Sequence, residues 1–415
     1  VNKPELLAPA GNMEKLKIAL TYGADACYLA GKSFGLRAAA GNFSIDGLKE
    51  ALSFAHARGK KIYITVNIIP HNEDLIGLPQ YLEELEQLQV DGIIVADPGV
   101  IRLAQQYCPS IPIHLSTQAN NTNWSSALFW EQVGVKRLVM ARELSIEDIR
   151  MIRDKVKVEI EAFVHGAMCI SYSGRCLMSN YMIGRDANRG HCAHPCRWKY
   201  YLVEEQRPGQ YYPVQEDERG TYIFNSKDMC LIRYIPELIK AGISTFKIEG
   251  RMKSVHYVAT VIKAYRQAID TYMENPQGYK FNEEWYSELL KVSHRDYFTG
   301  FYFDNPSSKD HNYRDSAYVR NYDFVGLVKD YDSDHRLALV EERNRIQVGD
   351  ELEVISPSDD EIYMFTVTDM WDAKTGEKIQ VAPHPHQMIK VKVSKKLAEN
   401  SLVRRQVPEG NVSSE

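Results

Sequence analysis

The stretch Val158–Trp198, VEIEAFVHGAMCISYSGRCLMSNYMIGRDANRGHCAHPCRW, decides how the chain is read. It opens as a strand, Val158–Val164, with Glu161 set among apolar residues. The strand runs straight into a loop-like segment marked by Gly166, Ser171, Ser173, Gly174, Asn180, Gly184, Asn188 and Gly190. That segment holds four of the chain's seven cysteines, Cys169, Cys176, Cys192 and Cys196, at the spacing C-x6-C-x15-C-x3-C. Cysteines that merely fill a core are scattered, as Cys27 and Cys108 are. Four thiols gathered in one loop point instead to a soft-metal centre, an iron–sulfur cluster or a structural zinc. Structural zinc usually shows two tight C-x2–4-C knuckles, and only Cys192/Cys196 is tight here, which favours a cluster with zinc as the alternative. Arg175, Arg185, Arg189, Arg197 and Lys199 accompany the thiols against the single acid Asp186, a bias suited to an anionic occupant.

Outward from this stretch, strands alternate with amphipathic helices. The strands read as Glu5–Ala8, Ala26–Ala30, Lys61–Asn67, Gly92–Ala96, Ile113–Thr117, Arg137–Ala141, Val158–Val164 and Thr245–Ile248. Helices follow Asn12, span Ser44–His56, surround Leu82–Leu88, start at Ser145 and span Val255–Tyr272. Eight βα units predict a (β/α)8 TIM-type barrel over residues 1–278, with the cysteine-rich segment 166–200 as an insertion over its mouth. No glycine-rich dinucleotide fingerprint follows any strand, which argues against an open doubly wound sheet. Strand ends then gather Asn67, Asp97, His114, Ser116, Gln118, Arg142, Glu143, Glu161, His165, Lys247, Glu249 and Arg251. Asp97-Pro98-Gly99 reads most simply as a turn, and Glu143 as a charge beside a helix start. Glu161 and Glu249 need partners inside a barrel, which Lys247 or Arg251 would supply; site and satisfied ion pair both stay open.

Residues 279–320 read as a linker that holds a helix, Glu283–Val292. From 321 to 406 short alternating strands, among them Phe324–Val328, Glu351–Ile355 and Ile389–Val393, predict a small all-β barrel. Its phrase NRIQVGDELEVISP resembles the second domain of translational GTPases, which touches RNA in those proteins. A chain of 415 residues with 44% hydrophobic and 25% charged residues is ordinary globular material. A net charge of −5 excludes a global nucleic-acid footprint, so any such binding must rest on a local patch. No apolar run reaches membrane-spanning length, and VNKPELLAPAG does not read as a signal peptide. An odd, clustered cysteine set fits a reducing, cytoplasmic setting with metal ligation.

EAFVHGAMCISYSGRCLMS meets the pattern E-x-F-x2-G-[SA]-[aliphatic]-C-x4-G-x-C-x-[aliphatic]-S at every fixed position. With PELLAPAG, IHLSTQAN, NSKDMC and FKIEGR, the chain resembles throughout the family of "collagenase-like" peptidases, the thirty-second of the unassigned class. The resemblance implies tRNA wobble-uridine 5-hydroxylation without molecular oxygen, with prephenate as oxygen donor. It also implies a 4Fe–4S cluster on Cys169, Cys176, Cys192 and Cys196, with Cys230 as a substitute for one of the last pair. It implies tRNA as partner, and a paralogous family member as a second one. Prephenate carries two carboxylates, so forked guanidinium contacts suit it, with Arg37, Arg142, Arg175 and Arg251 as candidates. The candidate site is thus Arg142, Glu161, His165, Glu249 and Arg251 for catalysis, and Arg37, His114, Gln118 and Arg175 for binding. Proteolysis would need Cys169 with His165 as its base; neither H-E-x-x-H nor G-x-S-x-G occurs. A zinc-held, non-catalytic RNA-binding protein is the third reading.

Overall fold

The computed structural model describes residues 2–35, 42–169, 172, 175–197, 201–203, 211–213, 227–304 and 321–407. Seven parallel strands come first: β1 (Glu5–Pro9), β2 (Ala26–Leu29), β3 (Lys61–Val66), β4 (Gly92–Val95), β5 (Ile113–Leu115), β6 (Arg137–Val139) and β7 (Glu159–Ala167). A hairpin of β8 (Tyr201–Val203) and β9 (Tyr211–Pro213), then β10 (Asp228–Cys230), precede β11 (Thr245–Ile248). β11 pairs in parallel with both β1 and β7, so eight parallel strands close into a barrel. The helices between them are α1 (Met13–Thr21), α2 (Ile45–His56), α3 (Leu78–Leu88), α4 (Pro98–Tyr107), α5 (Trp124–Val133) and α6 (Ile146–Arg153). After them come α7 (Met178–Ile183) in the cysteine segment, α8 (Ile235–Lys240) and the long α9 (Val255–Glu274).

Local chemistry sets the helix starts. Asn12, Ser44, Asn123 and Ser254 each accept an N–H three residues on. Ser145 and Asp148 form the reciprocal capping box. Each such cap stabilises by about 1 kcal/mol. Asp97-Pro98-Gly99 is a helix start rather than a turn: the Asp97 carboxylate accepts from Gly99 N at 2.8 Å and Val100 N at 3.1 Å, and Pro98 opens α4. The apolar faces of these helices, Leu48 and Leu52 on α2 and Leu82 and Leu85 on α3 among them, pack on the strands in one continuous core.

Residues 279–304 are part of that core, which corrects their reading as a linker. α10 (Glu283–Leu289) packs on α9, and β12 (Tyr297–Phe298) extends the sheet through β10. Trp285, Leu289, Val292 and Tyr302 are buried there. Trp285, Leu289 and Val292 stand at helical spacing in the sequence, but the surface they pack on, α9, is set by the fold and not by a local pattern.

The remaining strands form a separate antiparallel layer: β13 (Tyr322–Asp332), β14 (Leu337–Glu342), β15 (Ile346–Gln347), β16 (Glu351–Ile355), β17 (Tyr363–Thr366), β18 (Met370–Asp372), β19 (Val381–Ala382), β20 (Met388–Lys392) and β21 (Leu402–Gln406). Seven of them make a half-barrel in the order β17-β16-β21-β13-β14-β20-β18, while β15 pairs with β19. Its own core includes Val325, Leu352, Ile389 and Val403. It docks on the barrel's flank, where the Tyr22 hydroxyl donates to Ile355 O at 2.7 Å and Lys263 Nζ to Ser356 O at 2.7 Å. Among the described residues no helix is long and apolar enough to cross a membrane.

Candidate active site at the barrel mouth

The strands' C-terminal ends surround a cavity of about 190 Å³. Asn67, Ser116, Gln118, Arg142, Glu249 and Arg251 come from strand ends, with Lys247, Phe163 and Tyr28 deeper in. Cys169, Cys176, Cys192 and Cys196 all line the same space from above. The insertion therefore does sit over the mouth, and the distant parts of the C-x6-C-x15-C-x3-C pattern meet on one wall.

β7 reaches this position through a local irregularity. Phe163 pairs with Lys247, but the next pair is His165 with Ile248, so Val164 is an extra residue on β7. Gly166 follows with φ +110°, and a Cβ there would stand 2.5 Å from Glu249 O. Only glycine lets β7 pass so close to β11 before leaving the barrel.

The polar residues hold one another in place. Asn67 Nδ2 donates to Gln118 Oε1 at 2.7 Å, and Ser116 Oγ donates to the same atom at 2.9 Å. These two bonds fix the amide, and its Nε2 is left buried with no partner among the described residues. Arg142 donates to Ala167 O at 3.1 Å, lies 3.8 Å over the Phe163 ring and stands 4.0 Å from Glu249. Its Nε is also buried without a hydrogen-bond partner among the described residues. Tyr28 donates to the Glu249 carboxylate at 3.3 Å. Arg251 donates to Asn42, and Arg175 Nε donates to Gln118 O at 2.9 Å from the exposed rim. Arg37 lies outside the described residues.

Three of the residues proposed from sequence are placed elsewhere. Glu161 is fully buried in the barrel interior, below the cavity lining, accepting from Lys247 Nζ at 2.6 Å and from Arg137 at 3.3 Å. That is the satisfied ion pair of the two readings. His114 lines a second cavity at the strands' N-terminal ends, beside Tyr63 and Arg137. Burial, with Arg137 and Lys247 nearby, holds its imidazole well below the usual histidine range. His165 points out of the barrel, ringed by Tyr257, Tyr265 and Tyr297. Burial, helped by His294 and Lys253, pushes it down to about 3. It lines no part of the cavity that holds Cys169, so the structure assembles no Cys169–His165 pair of the kind a thiol protease uses.

Cys230 is also remote from the thiol wall: it is buried on β10 opposite His165, and burial pushes its thiol up to about 12. The four cavity cysteines are all half-buried. Backbone N–H groups already point at two of them, Met178 N at Cys176 Sγ and His194 N at Cys192 Sγ, each 3.4 Å. Such donors stabilise thiolates that carry metal charge. Among the described residues no three His, Cys, Asp or Glu side chains converge closely enough to hold a single ion. Thiols with backbone N–H groups already aimed at them suit a soft metal centre. Lys247, Ser116 and Asn67 were legible as strand-end residues and Phe163 as a fixed position of the E-x-F pattern, whereas Tyr28, which also floors the cavity, carried no signal beyond being aromatic within a strand.

Residues 11–312 match peptidase family U32, and residues 320–404 match the U32 C-terminal domain. The chain belongs to peptidase family U32. It is 44% identical to tRNA hydroxylation protein P1 of Bacillus subtilis, over 97% of this chain and 95% of that protein. It is 38% identical to tRNA hydroxylation protein P of Escherichia coli, over 92% of each. The Escherichia coli 23S rRNA 5-hydroxycytidine C2501 synthase is 38% identical over 65% of this chain and 40% of its own length.

Proposed function

We propose that this U32 protein hydroxylates an RNA base, with the tRNA wobble uridine as substrate, prephenate as oxygen donor and a 4Fe–4S cluster held by Cys169, Cys176, Cys192 and Cys196. The observation that carries the reading is the sharing of one cavity by four cysteines and a wall of guanidinium and amide donors. The names of its U32 relatives support the RNA hydroxylation. A cubane takes one thiolate on each of four irons, and the single tight pair Cys192/Cys196 favours it over zinc, which usually sits between two such knuckles.

Replacing C5–H of uracil by C5–OH removes two electrons from the base, and the donor accepts them as it gives up its oxygen. Arg142 and Arg251 suit the donor's carboxylates, and the oriented Gln118 amide adds a third N–H. Glu249, on the cavity wall beside Arg142, is placed to take the proton that leaves C5. A bound cluster would supply an electron-accepting or Lewis-acidic iron at the thiol wall. Tyr28, Phe163, Ile94 and Val139 floor the space and exclude water.

The test is nucleoside mass spectrometry of tRNA from cells whose only enzyme of this kind is the wild type or Cys169→Ala. Hydroxyuridine should vanish with Cys169→Ala while the protein still folds, because the barrel core does not include that residue. Anaerobically prepared wild type should be brown, absorbing near about 400 nm. Normal hydroxyuridine in the Cys169→Ala strain would remove this mechanism.

A further inference from the structure

α7 forms one side of the mouth. Its inner side gives Met178 and the fully buried Ser179 to the cavity wall. Its outer side is apolar and open. Leu177 is 71% exposed and Tyr181 89% exposed, one turn apart, with Tyr181 N bonded to Leu177 O at 2.9 Å. Met182 and Ile183 are exposed as well. A single exposed apolar side chain needs no explanation, but four within seven residues beside a functional cavity mark a binding surface.

The charge around this patch selects its partner. Arg175 and Arg185 flank it in sequence and are both exposed. Between 175 and 197 the sole acid is Asp186, whose carboxylate accepts the Asn188 N–H at 2.8 Å. An aromatic ring with exposed cations on either side in sequence, and with the neighbouring acids Glu73 and Asp74 already paired to Arg189, is the chemistry that stacks an unpaired base and holds its phosphates. A base enters a cavity only by leaving its stack, which forces its neighbours across the rim.

We propose that the outer face of α7 is a stacking platform for an unpaired RNA base adjacent to the one that enters the cavity. Tyr181 supplies the ring, and Arg175 and Arg185 contact the flanking phosphates. The ligand class rests on the RNA hydroxylation reading above; the platform itself rests on the exposed face and its charge.

The test is equilibrium binding of the full chain to a fluorescent tRNA anticodon stem–loop and to a blunt RNA duplex of equal length. Tyr181→Ala should weaken stem–loop binding by about tenfold or more, because stacking contributes that much per base. Tyr181→Trp should retain it, and neither change should alter duplex binding, where no base is free to stack. Arg185→Ala should weaken binding to both RNAs and lower the salt slope by about one. Tyr181 is too exposed for its loss to threaten folding, and circular dichroism of each variant checks this. Stem–loop binding by Tyr181→Ala equal to wild type overturns the platform, including where that variant instead loses self-association in sedimentation. If hydroxylation persists in cells without the chain and wild type does not distinguish stem–loop from duplex, the RNA reading fails and takes the platform with it. Intact hydroxylation with equal stem–loop binding by wild type and Tyr181→Ala removes the platform alone.

Discussion

Gln118 owes its orientation to two neighbours. Asn67 and Ser116 both donate to its Oε1, so only the Nε2 donor remains for a ligand. With the Arg142 guanidinium it makes a wall that accepts carboxylate or carbonyl oxygen and rejects amino groups. Gln118→Glu keeps an oxygen for both incoming bonds and replaces the donor by a second oxygen. Its expected effect is a KM for the carboxylate-bearing donor raised about tenfold or more, with urea unfolding unchanged. Hydroxylation titrated with the proposed donor, prephenate, measures it, and an unchanged KM would end this role for Gln118. Glu161 makes the opposite case. Its position before a cysteine loop made it a candidate acid or base, yet its oxygens are taken by Lys247 and Arg137. Glu161→Gln takes the carboxylate from the buried Lys247, while Arg137 keeps Glu5 and Glu159, so it should cost about 3–5 kcal/mol of stability while molecules that still fold retain turnover. Denaturant titration alongside active-site-normalised rates separates the two; full stability with lost turnover would make Glu161 catalytic after all.

β7 shows why the barrel was legible from sequence and part of its site was not. The eight strands announce themselves by short apolar runs, and runs survive local irregularity. Side-chain direction does not. Strict alternation from Glu161 and Phe163 sends His165 into the barrel, but the extra residue Val164 turns it out toward α9 and β12. That bulge depends on the approach of Gly166 to Glu249, a contact 83 residues apart that no local pattern encodes. The same limit hid β12 and the packing of α10, whose partners on β10 and α9 lie far off in sequence. The thiol wall was legible because cysteine is scarce and its clustering has few other causes. The outward turn of His165 has a consequence for stability. Its imidazole, held down to about 3 in the fold and ordinary near 6.5 when unfolded, binds a proton first in the unfolded chain. Its contribution is therefore fully present above about pH 6.5 and is lost as pH falls toward 3, at about 1.4 kcal/mol per pH unit. His114, depressed by its own burial, pulls in the same direction. His165→Leu should flatten the acid limb of a stability–pH curve from urea titrations by about that slope; a parallel curve would show that the fold admits the charged ring.

At the scale of the molecule, two cores are joined through ionic contacts that neither would bury alone. Arg404 on β21 is fully buried; it donates to Glu353 on β16 at 2.6 Å and to Glu288 on α10 at 2.9 Å. Lys291 reaches the same Glu353 at 3.2 Å, and Arg343 pairs with Glu14 on α1. Leu327, Ile355 and Leu402 of the half-barrel belong to the barrel's own hydrophobic cluster, so the ion pairs sit beside a continuous apolar seam. An apolar seam alone tolerates sliding, whereas a guanidinium shared between two carboxylates has one geometry, so Arg404 fixes the angle at which the half-barrel docks. Removing it leaves Glu288 and Glu353 facing each other without their main counter-charge. Arg404→Ala should cost about 3–5 kcal/mol. Restoring charge balance with Glu353→Gln in the same chain should return part of that loss, because the double variant no longer holds two uncompensated carboxylates. The cycle of four proteins, unfolded in urea and followed by tryptophan fluorescence, gives the coupling directly. Additive losses would show that Glu353 is held by Lys291 and Tyr322 instead, and that the seam sets the docking without Arg404.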